Sequence, residues 1–222
     1  MRDLPPIAVA ALTGFISGLL LSIPVGPVNL TIINEGARRG FLRAALIGLG
    51  ATVMEVIYCA IAFTGFATLF TNGVVKAAME LFSFVFMLYL GCRFLIARHV
   101  LTPSRIEERI EEKLHPHSAF LIGFVRVMGN PGVLVFWIIL AANFISREWV
   151  QPNVSGRLAC VAGVAASTGL WFLGLSYAVS LGHKHLSEKT LVRMEHVSGV
   201  VLLILALIHG GTIIWQMARH RL

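Results

Sequence analysis

Charge is scarce in this chain of 222 residues: Asp, Glu, Lys and Arg together make up 13%, about half the share of an ordinary globular domain. That shortage argues against a water-soluble fold. Cysteine is scarce too. Cys59, Cys92 and Cys160 fall inside apolar runs without CxxC or CxC spacing, so they read as small buried hydrophobes rather than as disulfide or metal ligands. Catalytic signatures are missing: there is no GxxxxGKS/T loop, no HExxH and no Ser/His/Asp arrangement. Enzyme chemistry and a bound cofactor are therefore not expected, and an active carrier without nucleotide hydrolysis has to draw on an ion gradient. No stretch of even about 50 residues lacks a long apolar run, which leaves no room for a second, soluble domain.

What the chain does have is apolar surface. Hydrophobic residues make up 57%, close to what six membrane helices of about 20 residues each require. Apolar runs broken by charge clusters place spans near 7–33, 44–70, 74–97, 118–145, 158–181 and 196–217. The first run is about twice the length of a signal-peptide core and reads as a retained span. The formal charge of +7 sits in short clusters between spans rather than on one face, which suits membrane orientation and not nucleic acid. Sorted by side, Lys and Arg favour the odd-numbered loops, which hold Arg38, Arg39, Arg43, Arg93, Arg98, Arg105, Arg109, Lys113, Lys184, Lys189 and Arg193. The positive-inside bias then places these loops in the cytoplasm and both termini outside. In the longest loop, 98–117, Ser104 and Glu107 have capping-box spacing and Ile106, Ile110 and Leu114 recur four apart. This predicts a short amphipathic helix at the cytoplasmic interface.

The halves echo each other. A shift of 115 lays Gly48 to Thr52 on Gly163 to Ser167, and Met79-Glu80 on Met194-Glu195; near a shift of 107, Pro24 meets Pro131. Three spans per half is odd, so a true repeat would insert its halves in opposite orientation. The expected domains are a first repeat at 1–97, the loop at 98–117 and a second repeat at 118–222. The expected fold is an all-α membrane protein with broken helices one and four.

Residues that violate the membrane pattern mark the candidate site. Pro24-Val25-Gly26-Pro27 with Asn29 interrupts span one, and Asn130-Pro131-Gly132 interrupts span four. Proline removes a backbone donor and obstructs the preceding turn, while glycine eases unwinding. Freed backbone groups at membrane depth are tolerated only where protein or a wet cavity satisfies them, and paired interruptions of this kind point to a transport site. Simple structural kinks are the alternative. Glu55 falls about 16 Å along span two, near the bilayer centre, where a carboxylate needs a partner, a proton or water. Arg126 in span four is the intramembrane cation. Glu55 therefore either binds a proton or a substrate amine, or forms a static pair with Arg126. Glu80 and Glu195 read as helix-start or gate carboxylates. The pairs His115/His117 and His183/His185 lie in loops, and the interior offers a metal little beyond Glu55, His209 and the cysteines.

In this order the residues resemble the lysine exporter (LysE/RhtB) family of bacterial amino-acid effluxers. The resemblance rests on Pro24-Val25-Gly26-Pro27-Val28-Asn29, on Gly36 through Arg38-Arg39-Gly40, on Gly50, Glu55 and Gly65, on Asn130-Pro131, and on Gly91-Cys92-Arg93. It covers nearly the whole chain. Members usually carry Asp after Gly where this chain has Met54-Glu55. The resemblance implies export of an amino acid or derivative across the bacterial inner membrane in exchange for protons. The partners it implies are a small-molecule substrate, protons and lipid, with the oligomeric state open and a homodimer one option. A divalent metal-ion exporter of the same superfamily and a membrane accessory protein without transport activity are the alternatives.

Overall fold

The computed structural model describes residues 5–24, 26–65, 73–96, 118–181 and 188–219. Among these, eight helices and no strands are present: α1 (Pro6–Ser22), α2 (Pro27–Arg39), α3 (Phe41–Gly65), α4 (Gly73–Ile96), α5 (Ala119–Met128), α6 (Pro131–Ser146), α7 (Val154–Ser180) and α8 (Glu188–Arg219). The secondary structure of the described residues is all helical, as the periodicity predicts. The amphipathic helix expected at 98–117 and both His-x-His pairs lie outside the described residues, as do the side chains of Glu80, Glu195 and His209.

Spans one and four each fall on two helices. α1 and α2 meet at 70°, and α5 and α6 at 65°. α3 over Phe41–Thr64 and α7 are long and apolar enough to cross a bilayer unbroken, and each bent pair is long and apolar enough to cross only if its two helices count as one span, which makes two to four candidate spans among the described residues. At 1.5 Å per residue, the 25 residues of α3 run about 37 Å, longer than a hydrocarbon core of about 30 Å. α4 and α8 carry shorter apolar stretches, Phe84–Ile96 and Gly199–Trp215.

Local chemistry sets the helix ends. Pro5 precedes α1 with Pro6 in its first turn, and Asn153 caps α7 by accepting from Gly156 N at 2.7 Å. α2 stops at Gly40, whose φ of 85° is open to glycine without strain and lets α3 begin at once. Around that turn Glu35 holds Arg39 at 3.6 Å and also binds Arg43 across to α3.

Helices touch where glycine lets their backbones meet, the usual device of membrane packing. On α1, a methyl group at Gly14 would sit 2.0 Å from the Cys160 carbonyl oxygen of α7, and one at Gly163 would sit 2.1 Å from that of Ala11. α3 and α5 interlock the same way. A methyl group at Gly50 would sit 1.9 Å from the Phe120 carbonyl oxygen, and one at Gly123 would sit 1.8 Å from that of Ile47. α4 crosses α8 at Gly91 and Gly199. Between the two interlocked pairs α3 and α7 run antiparallel, with Gly48 against Phe172 and Cys59 against Cys160.

Gly48, which the shift of 115 lays on Gly163, faces Phe172 of α7, while Gly50 makes the close contact with α5; two residues on a helix is about 200°, the opposite face. One sequence expectation needs correction. Cys92, expected to be buried, is exposed on α4, while Cys59 and Cys160 are buried as expected.

Candidate functional site

The two breaks face one cavity of about 430 Å³, within the size range of small-molecule sites. Pro24, Gly26, Pro27, Asn29, Glu55, Arg126, Asn130 and Pro131 all line it, so the structure brings these eight residues to one place. The sequence reading did not single out the cavity's apolar wall. It is built from α4, α6 and α7, chiefly by Phe86, Tyr89, Phe94, Phe136 and Phe172. Arg93 of α4, counted in the sequence among the loop cations and in the family resemblance, lines the same space.

Each break satisfies its freed backbone groups differently. At the first, Asn29 reaches back from α2 and donates Nδ2 to the carbonyls of Ser22 at 2.8 Å and Pro24 at 2.7 Å. Trp171 of α7 donates its indole N–H to Asn29 Oδ1 at 3.2 Å. The N-terminus of α2 itself has no side-chain cap. At the second break, Asn130 reaches forward, its Oδ1 accepting from Gly132 N at 3.0 Å. The carbonyl of Met128, the last residue of α5, takes a hydrogen bond from the Tyr58 hydroxyl of α3 at 2.7 Å. Pro131 stands first in its half-helix as Pro27 does in α2, so its structural counterpart is Pro27 and not Pro24. Gly26 is extended, with φ −93° and ψ −175°, and a methyl group on it would meet nothing within 4 Å. Its value is open space at the cavity wall, not the backbone freedom inferred from the sequence.

Glu55 is buried, 5% exposed, and its Oε2 accepts the indole N–H of Trp137 at 2.5 Å. The static Glu55–Arg126 pair is not formed. Among the described residues the ion pairs are those of Glu35 with Arg39 and Arg43. Arg126 reaches instead across to α2, donating Nη1 to the Pro27 carbonyl at 3.2 Å and to Thr31 Oγ1, while Thr31 donates to that same carbonyl at 2.7 Å. Sequence reasoning missed Trp137, Tyr58, Thr31 and Trp171. A signal for Trp137 did exist: a buried indole needs an acceptor, and Glu55 is the carboxylate assigned to the mid-membrane level.

Chemically, the cavity offers one carboxylate, two guanidinium groups, an uncapped helix N-terminus and an aromatic wall. The family model of the LysE type translocators matches residues 19–209. YcgF of Bacillus subtilis (strain 168), a candidate amino acid efflux protein, is 28% identical over 199 residues, spanning 90% of this chain and 94% of that one. A leucine efflux protein of Klebsiella pneumoniae subsp. pneumoniae is 24% identical over 146 residues, 65% of this chain and 67% of the relative. No solved structure matches this chain.

Proposed function

Because the chain belongs to the family of LysE type translocators, and is a multi-pass membrane protein within it, we propose that it exports a neutral α-amino acid with a bulky apolar side chain from the bacterial cytoplasm in exchange for protons. The observation that carries the reading is the convergence of both breaks, Glu55 and Arg126 on one cavity. A zwitterion has a complement there. Its carboxylate suits Arg126 and the uncapped, positive end of α2, and its ammonium suits Glu55. The aromatic wall formed by Phe86, Phe136 and Phe172 takes an apolar side chain. With Arg93 and Arg126 against one carboxylate, a second positive charge on the substrate would be repelled. The same donor set suits an amino acid better than a divalent cation, which calls for several carboxylate, imidazole or thiolate ligands. The names of the relatives, amino acid efflux and leucine efflux, agree with the reading.

Six crossings in two inverted halves complete the proposal. Its support is directional: α3 runs antiparallel to α7, and the reciprocal glycine contacts pair the first helix of each half with the second span of the other. The basic loop at Arg38 and Arg39 then faces the cytoplasm and both termini face outward.

The test is efflux from proteoliposomes loaded with labelled leucine, phenylalanine, lysine or glutamate, with the proton gradient imposed or collapsed. Leucine and phenylalanine are expected to leave only when protons can enter. Lysine as the preferred substrate would sink the substrate class, and efflux indifferent to the gradient would sink the antiport.

A further inference from the structure

From the geometry around Glu55 we infer that Trp137 is its positioning residue, and that α3 reads the proton or substrate state of the site and passes it to α6 alone. The inference rests on the amino-acid antiport proposed above and deepens it.

α3 grips the second broken span on both sides of the break. The Tyr58 hydroxyl holds the carbonyl of Met128, the last residue of α5, at 2.7 Å. One turn away on the same face, Glu55 holds the indole N–H of Trp137, which lies in the second turn of α6, at 2.5 Å. Between these two grips lie Gly129 and Asn130, where the chain bends by 65°. The grips differ in kind. The phenol-to-carbonyl bond joins neutral groups and does not change when the site is loaded. The indole-to-carboxylate bond is charge-assisted, about twice as strong as a neutral one, and it weakens when a proton neutralises the acceptor or an ammonium competes for it. Loading Glu55 therefore loosens α6 while α5 stays held, and the break becomes a hinge with one fixed leaf.

Burial makes the contact selective. Trp137 is 1% exposed and does not line the cavity, whereas Glu55 does, so water has little access to the indole when the bond weakens and α6 must move for it to be satisfied elsewhere. The other titratable or charged groups nearby are Tyr58 and Cys59 on α3, Cys160 on α7 against Cys59, Arg126 on α5, and Tyr89 and Arg93 on α4. α2 and α6 line the cavity with uncharged residues only. Arg126 is engaged with Pro27 and Thr31 of α2, which leaves the indole as the polar group seated on Glu55.

The experiment uses the full chain in proteoliposomes and compares Trp137→Phe, which keeps a ring and removes the donor, with Trp137→His, which keeps a ring donor. Proton-driven leucine efflux is expected to fall about tenfold in Trp137→Phe, with its pH profile displaced because the carboxylate loses its donor. Exchange of leucine without a gradient should fall less than about threefold, and Trp137→His should recover part of the efflux. In a Glu55→Gln background, Trp137→Phe should add no further change to the pH profile. A second readout needs no Trp137 variant: with 15N-labelled indoles, one of the four tryptophan N–H signals should titrate in the unaltered chain and stop titrating in Glu55→Gln. An unchanged pH profile in well-folded Trp137→Phe, or four indole signals indifferent to pH, overturns the inference and leaves antiport standing. Absence of any amino-acid efflux from the unaltered chain overturns both.

Discussion

The two broken spans look alike in sequence and are built differently. Each has a proline at the first position of its second half-helix and an asparagine beside it. In the first, Asn29 ties the end of α1 to the start of α2 with two donated hydrogen bonds, so the break is closed upon itself. In the second, Asn130 caps only α6, and the end of α5 is held from outside by Tyr58. The same asymmetry continues outward: α2 packs on α3 as well as on α7, whereas α6 packs on α3 and α4. A break that satisfies its own backbone acts as a fixed corner, and one that borrows its donor from a neighbouring helix can be addressed by that neighbour. The lesson is that a shared motif at membrane depth fixes where the chain bends, while the partners of the freed carbonyls decide whether the bend can move.

Glycine substitutions give the largest expected break in this comparison. Gly123→Ala puts a methyl group 1.8 Å from the Ile47 carbonyl and has to separate α3 from α5. The expected loss is about 2–3 kcal/mol, read as a thermal-unfolding midpoint lowered by roughly 5–10 °C in detergent. Gly26→Ala, with open space around it, should leave that midpoint within about 1 °C and lower efflux only by narrowing the cavity. Equal midpoints for the two would refute the packing account. A smaller effect separates the asparagines. Asn29→Ala strips donors from two carbonyls and should cost about 2 kcal/mol, whereas Asn130→Ala loses one cap, about 1 kcal/mol; the reverse order in the same melt would reverse the roles assigned to the two breaks. The smallest change is Tyr58→Phe, which leaves the Met128 carbonyl without its donor at about 1 kcal/mol. If α5 is the fixed leaf, efflux in that variant should lose its sharp dependence on Glu55 chemistry while leucine binding stays near normal. Loss of binding with coupling intact would assign Tyr58 to the substrate instead.

Much of this architecture was legible in the residues. Proline, asparagine and a lone carboxylate are costly in hydrocarbon, so their positions along the chain exposed both breaks and Glu55 before any contact was known, and all eight candidates line one cavity. Partners were less legible, because hydrogen bonds between helices depend on rotation about the helix axis. Gly48 and Gly50 are two residues apart, yet Gly48 turns to Phe172 of α7 and Gly50 to Phe120 of α5. Tyr58 of α3 and Trp171 of α7 are the aromatic donors that serve opposite breaks. Charge pairing stays open in the sequence for a similar reason. Glu55 and Arg126 are opposite charges at similar depth, yet the guanidinium turns to backbone and hydroxyl acceptors on α2, and the carboxylate takes an indole whose polar edge is invisible in a hydropathy profile.

The reciprocal glycine contacts also govern how the chain is made. α1 is locked by α7, through Gly14 against Cys160 and Gly163 against Ala11, and Asn29 receives its indole from Trp171. At about 5–20 residues per second, a ribosome needs on the order of 10–30 s after finishing α1 to deliver the helix that completes it. Throughout that interval the first break waits in the bilayer with its asparagine half satisfied, so the nascent chain depends on lipid, insertase or translocon to shelter it. Chains stalled before residue 154 should therefore be quality-control substrates even though their first helices have already entered the membrane.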